Sequence, residues 1–213
     1  ERRGAGPFRR AFAALPGQGN QSEPAPTAGR EAPAEPRVIT EEMDVAQGKL
    51  GVGFRTMSDD GAATMIMNSM FGGTSTSKLF LNVREKLSLC YYAGSSYHRK
   101  KGLITVSSGI ETKNYQRALD EIMTQLEALR RGEWEDWELE GARSSLRNAL
   151  RSMEDSASAL EDFTMGQMAT GSDETIPGLL SAVEAVTPER VRQAAEQVRP
   201  DTIYFLKGKE AEE

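Results

Sequence analysis

Two strand-like runs separated only by the turn "RKKG" constrain this chain more than any other feature. "LCYYAGSSYH" precedes the turn and "LITVSSGIE" follows it. Strands this close can pair only antiparallel, because a parallel partner needs a crossover of about a dozen residues or more. Ile104, Val106 and Ile110 fall on one face of the second strand, so that face is expected to be buried. "KLGVGFRT" alternates Leu50, Val52 and Phe54 in the same way, and "TIYFLKG" reads as a closing strand.

Helical patterns fill the rest. "DDGAATMIMNSMFGG" predicts a helix capped by Asp59 or Asp60 and stopped by Gly72 or Gly73 in the left-handed conformation. A second helix is expected from Thr76 or Ser77, with Leu79, Phe80, Val83 and Leu87 at helical spacing. After the hairpin, Leu119, Ile122, Met123, Leu126 and Leu129 form one apolar stripe, ended by Gly132. Leu139, Ala142, Leu146 and Leu150 form another. A further helix is expected to stop at Gly171. "TPERVRQAAEQV" opens with Thr187 as cap and Pro188 at the first helical position. Antiparallel strands with helices grouped beyond them predict an α+β fold, a mostly antiparallel sheet with helices packed on one face.

The first part of the chain has a different character. Six of the nine prolines lie in residues 1–36, among Gly, Gln, Ser and Ala. Such a segment buries too little apolar surface to offset its chain entropy. Residues 1–41 are therefore expected to be a disordered or linker segment, and residues 42–213 the folded domain. Because it opens on Glu1 without an initiator methionine, the chain is expected to be a fragment or a processed product.

Several functions are disfavoured by composition. The formal net charge of −6 argues against nucleic acid, which needs a basic surface. No apolar run approaches the roughly 18 residues of a membrane span. A single cysteine, Cys90, excludes an internal disulfide and a multi-cysteine zinc site, and suggests a reducing, cytoplasmic setting. His98 is the only histidine, so H-x-x-E-H and H-E-x-x-H zinc motifs are absent. It is expected at the surface near the hairpin turn. Cys90 lies among apolar residues and is expected to pack in the core. Trp134 and Trp137 read as core or interface packing. "FGGTSTSK" has the look of a phosphate loop but lacks glycine before Lys78 and a hydroxyl after it. A cap between two helices explains it better, leaving a weak anion site at the helix start as a residual reading.

Arg84 and Tyr91 remain. Arg84 is placed on the last turns of the second helix and Tyr91 at the start of the following strand, so both tips can reach one surface. Guanidinium and phenol are good donors to a peptide carbonyl or a carboxylate. The plainer alternative pairs Arg84 with a nearby acid and buries Tyr91.

The segment "FGGTSTSKLFLNVREKLSLCYYAGSS" resembles the second-half domain of insulinase (pitrilysin-type) zinc metallopeptidases. Their pattern has two glycines, a small polar run, Ser-Arg/Lys-Leu-Phe, then Arg-Glu-Lys and Gly-Leu before a tyrosine. Gly72, Gly73, Ser77, Lys78, Leu79, Phe80, Arg84, Glu85, Lys86, Leu89 and Tyr91 match it. "GFRT" and "AVTPERVRQAAEQVRPDTIYFLKG" extend the resemblance over about residues 45 to 208. Ser88 stands where the family usually has glycine, and Lys78 where arginine is commoner. The Leu-Cys-Tyr-Tyr variant most resembles a bacterial subset that looks non-catalytic. The resemblance implies an α/β half-domain of a clam-shell chamber. It implies no cofactor on this chain, zinc in another domain or a partner subunit of a dimer, and a peptide substrate gripped by Arg84 and Tyr91. The chain alone would be inactive. The rival reading is a scaffold or interaction subunit with no proteolysis.

Overall fold

The computed structural model describes residues 32–208. Its strands are β1 (Arg37–Met43), β2 (Gly48–Thr56), β3 (Cys90–His98), β4 (Leu103–Ile110) and β5 (Val198–Gly208), in the spatial order β1-β5-β2-β4-β3. The β3–β4 hairpin forms as its spacing predicts, and β2 pairs antiparallel with both β4 and β5. One pair departs from the pattern, since β1 runs parallel to β5. The expected domain boundary between residues 41 and 42 falls inside β1. "RVITEEM" lacks clean alternation, and its residues are mostly exposed, so periodicity alone does not reveal a strand. Residues 1–31 of the expected linker lie outside the described residues.

The helices pack on one face of the sheet. Leu50, Val52 and Phe54 of β2 and Ile104, Val106 and Ile110 of β4 are buried beneath them. Phe54 meets Phe71 edge-to-face, with centroids 6.1 Å apart. The helices are α1 (Gly61–Asn68), α2 (Tyr115–Arg130), α3 (Asp136–Glu154), α4 (Ala157–Thr170), α5 (Ile176–Glu184) and α6 (Pro188–Glu196). Asp60 caps α1 by accepting from Ala63 N at 3.0 Å, and its carboxylate also takes two bonds from Arg190, at 2.7 and 3.0 Å. Thr187 caps α6, and Gly132 and Gly171 adopt positive φ where the stripes end. Trp134 packs against the core, whereas Trp137 is exposed.

The join between α1 and β3 differs from expectation. α1 passes into a π-helical turn over Ser69–Gly73, and the second helix is itself a π-helix, Leu79–Lys86. Gly72 and Gly73 do not take the left-handed stop; the positive-φ glycines among the described residues are Gly102, Gly132 and Gly171. Close approach requires Gly72, because a Cβ there would sit 2.6 Å from the Ser95 backbone nitrogen. This turn lies directly against β3. Ser95 Oγ reinforces the contact by donating to Asn68 Oδ1 at 2.8 Å.

Candidate functional site

The phosphate-loop look of "GGTSTSK" dissolves in three dimensions. Ser77 is buried, and its Oγ accepts from Phe80 N at 3.4 Å, as a helix cap does. Lys78 turns inward to Glu138 of α3 at 3.0 Å, both side chains about nine-tenths buried. Glu138 at the same time accepts from Glu135 N at 2.8 Å, closing the capping box of α3. The lysine thus pins the π-helix to the start of α3, where it neutralises a carboxylate and is withdrawn from any anion.

Asn82 anchors the π-helix from its other side. Its amide donates to the Lys78 carbonyl at 3.0 Å and to Gln125 Oε1 of α2 at 3.1 Å. A side chain that engages the helix's own carbonyls is a recognised cause of local departure from α geometry, and π segments recur at functional sites. Arg84 emerges on the last turn of this helix. Its guanidinium lies 4.7 Å from the Phe80 ring centroid, within cation–π range, and 3.5 Å from Glu85.

The chain then crosses to β3 in three residues, Leu87 to Leu89, and Ser88 holds φ at 50°. It is the positive-φ residue other than glycine among those described. Ser88 N donates to Arg84 O at 3.1 Å and Leu89 N to Val83 O at 3.0 Å. A left-handed residue therefore closes the helix, as glycine commonly does. This gives a physical reason for glycine in the family pattern at this position.

β3 opens with an irregularity. Cys90 pairs with Ile110 and Tyr92 with Gly109, so Tyr91 is an extra residue on one strand. Such a bulge re-aims the side chain it carries. Tyr91 is 64% exposed, which excludes the alternative that buries it. The other half of that alternative holds, since Arg84 does have an acid beside it in Glu85. Ser88, Cys90, Tyr91, Glu111 and Asn114 line a small cleft at this corner. Lys113 pairs there with Glu111 at 2.7 Å, and the acid raises its pKa. Burial pushes the Cys90 thiol up, against smaller opposing effects from the Ser108 hydroxyl and the Arg84 charge. Cys90 is half-buried against the edge of the core, not within it as its apolar neighbours in sequence led one to expect.

Glu111 and Lys113 come from the far end of β4, about twenty residues after Tyr91, and carry no local signal. Tyr92 did carry one: two adjacent tyrosines cannot both face the core of a regular strand. His98 is exposed, and its Nε2 lies 3.3 Å from Thr105 Oγ1. Among the described residues, no three His, Cys, Asp or Glu side chains come together as metal ligands would, so these residues do not fit a zinc site. Nor, among them, is any helix long and apolar enough to cross a membrane.

The fold defines a class first. A conserved protein from Enterococcus faecalis V583 superposes with a TM-score of 0.84 at 31% identity, over 96% of this chain and 49% of that one. The peptidase M16 inactive domain from Pseudomonas fluorescens shares the fold at a TM-score of 0.67 and 18% identity, over 86% of this chain and 47% of that one. The architecture is thus that of an M16-type α+β half. The family profile of the peptidase M16 inactive domain matches residues 8–146, and the chain belongs to that insulinase-type metallopeptidase family as its non-catalytic domain. The probable inactive metalloprotease YmfF of Bacillus subtilis is 40% identical over 180 residues, 83% of this chain and 42% of that protein. The chain spans about half the length of these relatives.

Proposed function

We propose that this domain is the substrate-binding, non-catalytic half of an insulinase-type metallopeptidase, holding peptide backbone beside a zinc site supplied by another domain or by a partner subunit in a dimer. The observation that carries the reading is the bulge at Tyr91. It turns a phenol out of the core at the corner where the π-helix ends with Arg84. A phenol hydroxyl and a guanidinium at one corner offer donors to a peptide carbonyl and to charge developing on its oxygen. Metal chemistry belongs to the sibling; this chain orients the peptide. A reducing compartment such as the cytoplasm suits its single free thiol.

The test reconstitutes the chain with its zinc-bearing sibling and follows peptide cleavage. Arg84→Ala and Tyr91→Phe should each lower turnover, by roughly 10²-fold if either donates to the developing oxyanion. Both side chains are substantially exposed, so the variants should fold. Unchanged turnover and unchanged peptide affinity in both would refute the proposal and favour a scaffold role.

A further inference from the structure

The open face of the sheet carries a second aromatic whose position nothing in the Arg84–Tyr91 reading uses. Along β2 and β4 this face holds Gly51, Gly53, Thr105 and Ser107 in a shallow trough whose sides are Arg55, Leu103, Asp201 and Tyr204. Tyr92 stands at one end of that face. Its ring lies directly over Gly109, where a Cβ would come within 2.5 Å of Cε1 and 2.9 Å of Cδ1. The Gln47 amide closes on the same spot, 2.8 Å from the position of that Cβ. Gly109 is therefore required for the ring to take this position, and Gly109 is itself buried. The backbone beneath is fixed as well, because Ser108 Oγ donates to the Tyr92 carbonyl at 2.9 Å. Tyr92 still leaves 44% of its surface exposed.

We infer that Tyr92, seated on Gly109, is a specificity-determining platform for an apolar side chain of the peptide. The inference rests on the peptide-binding role of Arg84 and Tyr91. The ring is seated against the glycine, so a ligand side chain meets it without first ordering it, which reduces the entropic cost of binding. Its position next to Tyr91 places the contact one side chain away from the backbone grip. One aromatic or branched aliphatic side chain of the peptide can then pack on the exposed part of the ring. The substrate class this predicts is a peptide with a single large apolar residue close to the gripped bond.

The experiment uses the reconstituted complex and fluorescein-labelled Ala/Ser nonapeptides carrying one Phe, Leu or Ser at each position in turn, read by anisotropy. The wild-type protein should prefer Phe or Leu over Ser by roughly tenfold at one position. Tyr92→Ala should abolish that preference while Tyr92→Phe keeps it. Gly109→Ala, which displaces the ring without removing it, should weaken the preference. A preference that survives Tyr92→Ala, or no positional preference in the wild type, would overturn the inference. Failure of the underlying role shows separately, as peptide affinity and turnover unmoved by Arg84→Ala and Tyr91→Phe.

Discussion

Replacing Ser88 with glycine should stabilise this domain, although it removes atoms and touches no core residue. Ser88 sits at φ 50°, a conformation in which the Cβ of an L-residue crowds its own carbonyl at a cost of about 1–2 kcal/mol. Glycine removes that cost but gains freedom in the unfolded chain, worth about 0.5–1 kcal/mol in the opposite direction. The difference is a net gain of roughly 0.5–1 kcal/mol. The bonds from Ser88 N and Leu89 N to the last π-helical carbonyls are made by backbone, so the substitution leaves them in place. For a chain of this size, 1 kcal/mol corresponds to about 2–4 °C in Tm. Urea denaturation of the wild type, Ser88→Gly and Ser88→Val would measure it. Valine, β-branched and poorly tolerated at positive φ, should lose about 1–2 kcal/mol. A glycine variant no more stable than wild type, with a valine variant equal to it, would refute a left-handed strain at this position. The same experiment bears on the site, because Ser88 links the helix of Arg84 to the strand of Tyr91.

Two other perturbations separate structural from functional charge. Lys78→Met should cost about 3 kcal/mol or more, because it strands the buried Glu138; adding Glu138→Gln, which keeps the capping box, should recover most of the loss in the same denaturation assay. Arg190 beside Asp60 holds that carboxyl below its ordinary value, so the pair stabilises the fold above the usual aspartate pKa of about 3.9, and the contribution fades as pH falls through the lowered value. Asp60→Asn keeps a good helix cap and should lose only the partly exposed pair, about 0.5–1 kcal/mol at pH 7, with the gap to wild type closing toward pH 3. A gap that widens on acidification would reverse the assignment.

Local chemistry made much of this protein legible before folding. The hairpin around "RKKG", the alternation in "KLGVGFRT", the cap at Asp60 and the Thr187–Pro188 start each follow from one residue's conformational preference or from a period of side chains. The motif from Gly72 to Tyr91 was legible as a resemblance, and with it the two candidate side chains. Their surroundings were not. Glu111 and Lys113 reach Tyr91 only because the hairpin brings the far end of β4 beside the start of β3.

What the tertiary structure alone decided concerns pairs of segments. A bulge is a mismatch in residue count between two strands, so neither strand announces that Tyr91 is surplus. Gly72 reads as a helix stop in isolation, yet it is needed because another backbone passes close by. Lys78 reads as part of a phosphate-loop look-alike until Glu138 arrives from α3 to receive it. β1 has little pattern of its own, and it becomes a strand because β5 presents a free edge for it to pair with. Composition and periodicity thus set which elements form and which faces they bury. Contacts between elements distant in sequence decide where Arg84, Tyr91 and Tyr92 point.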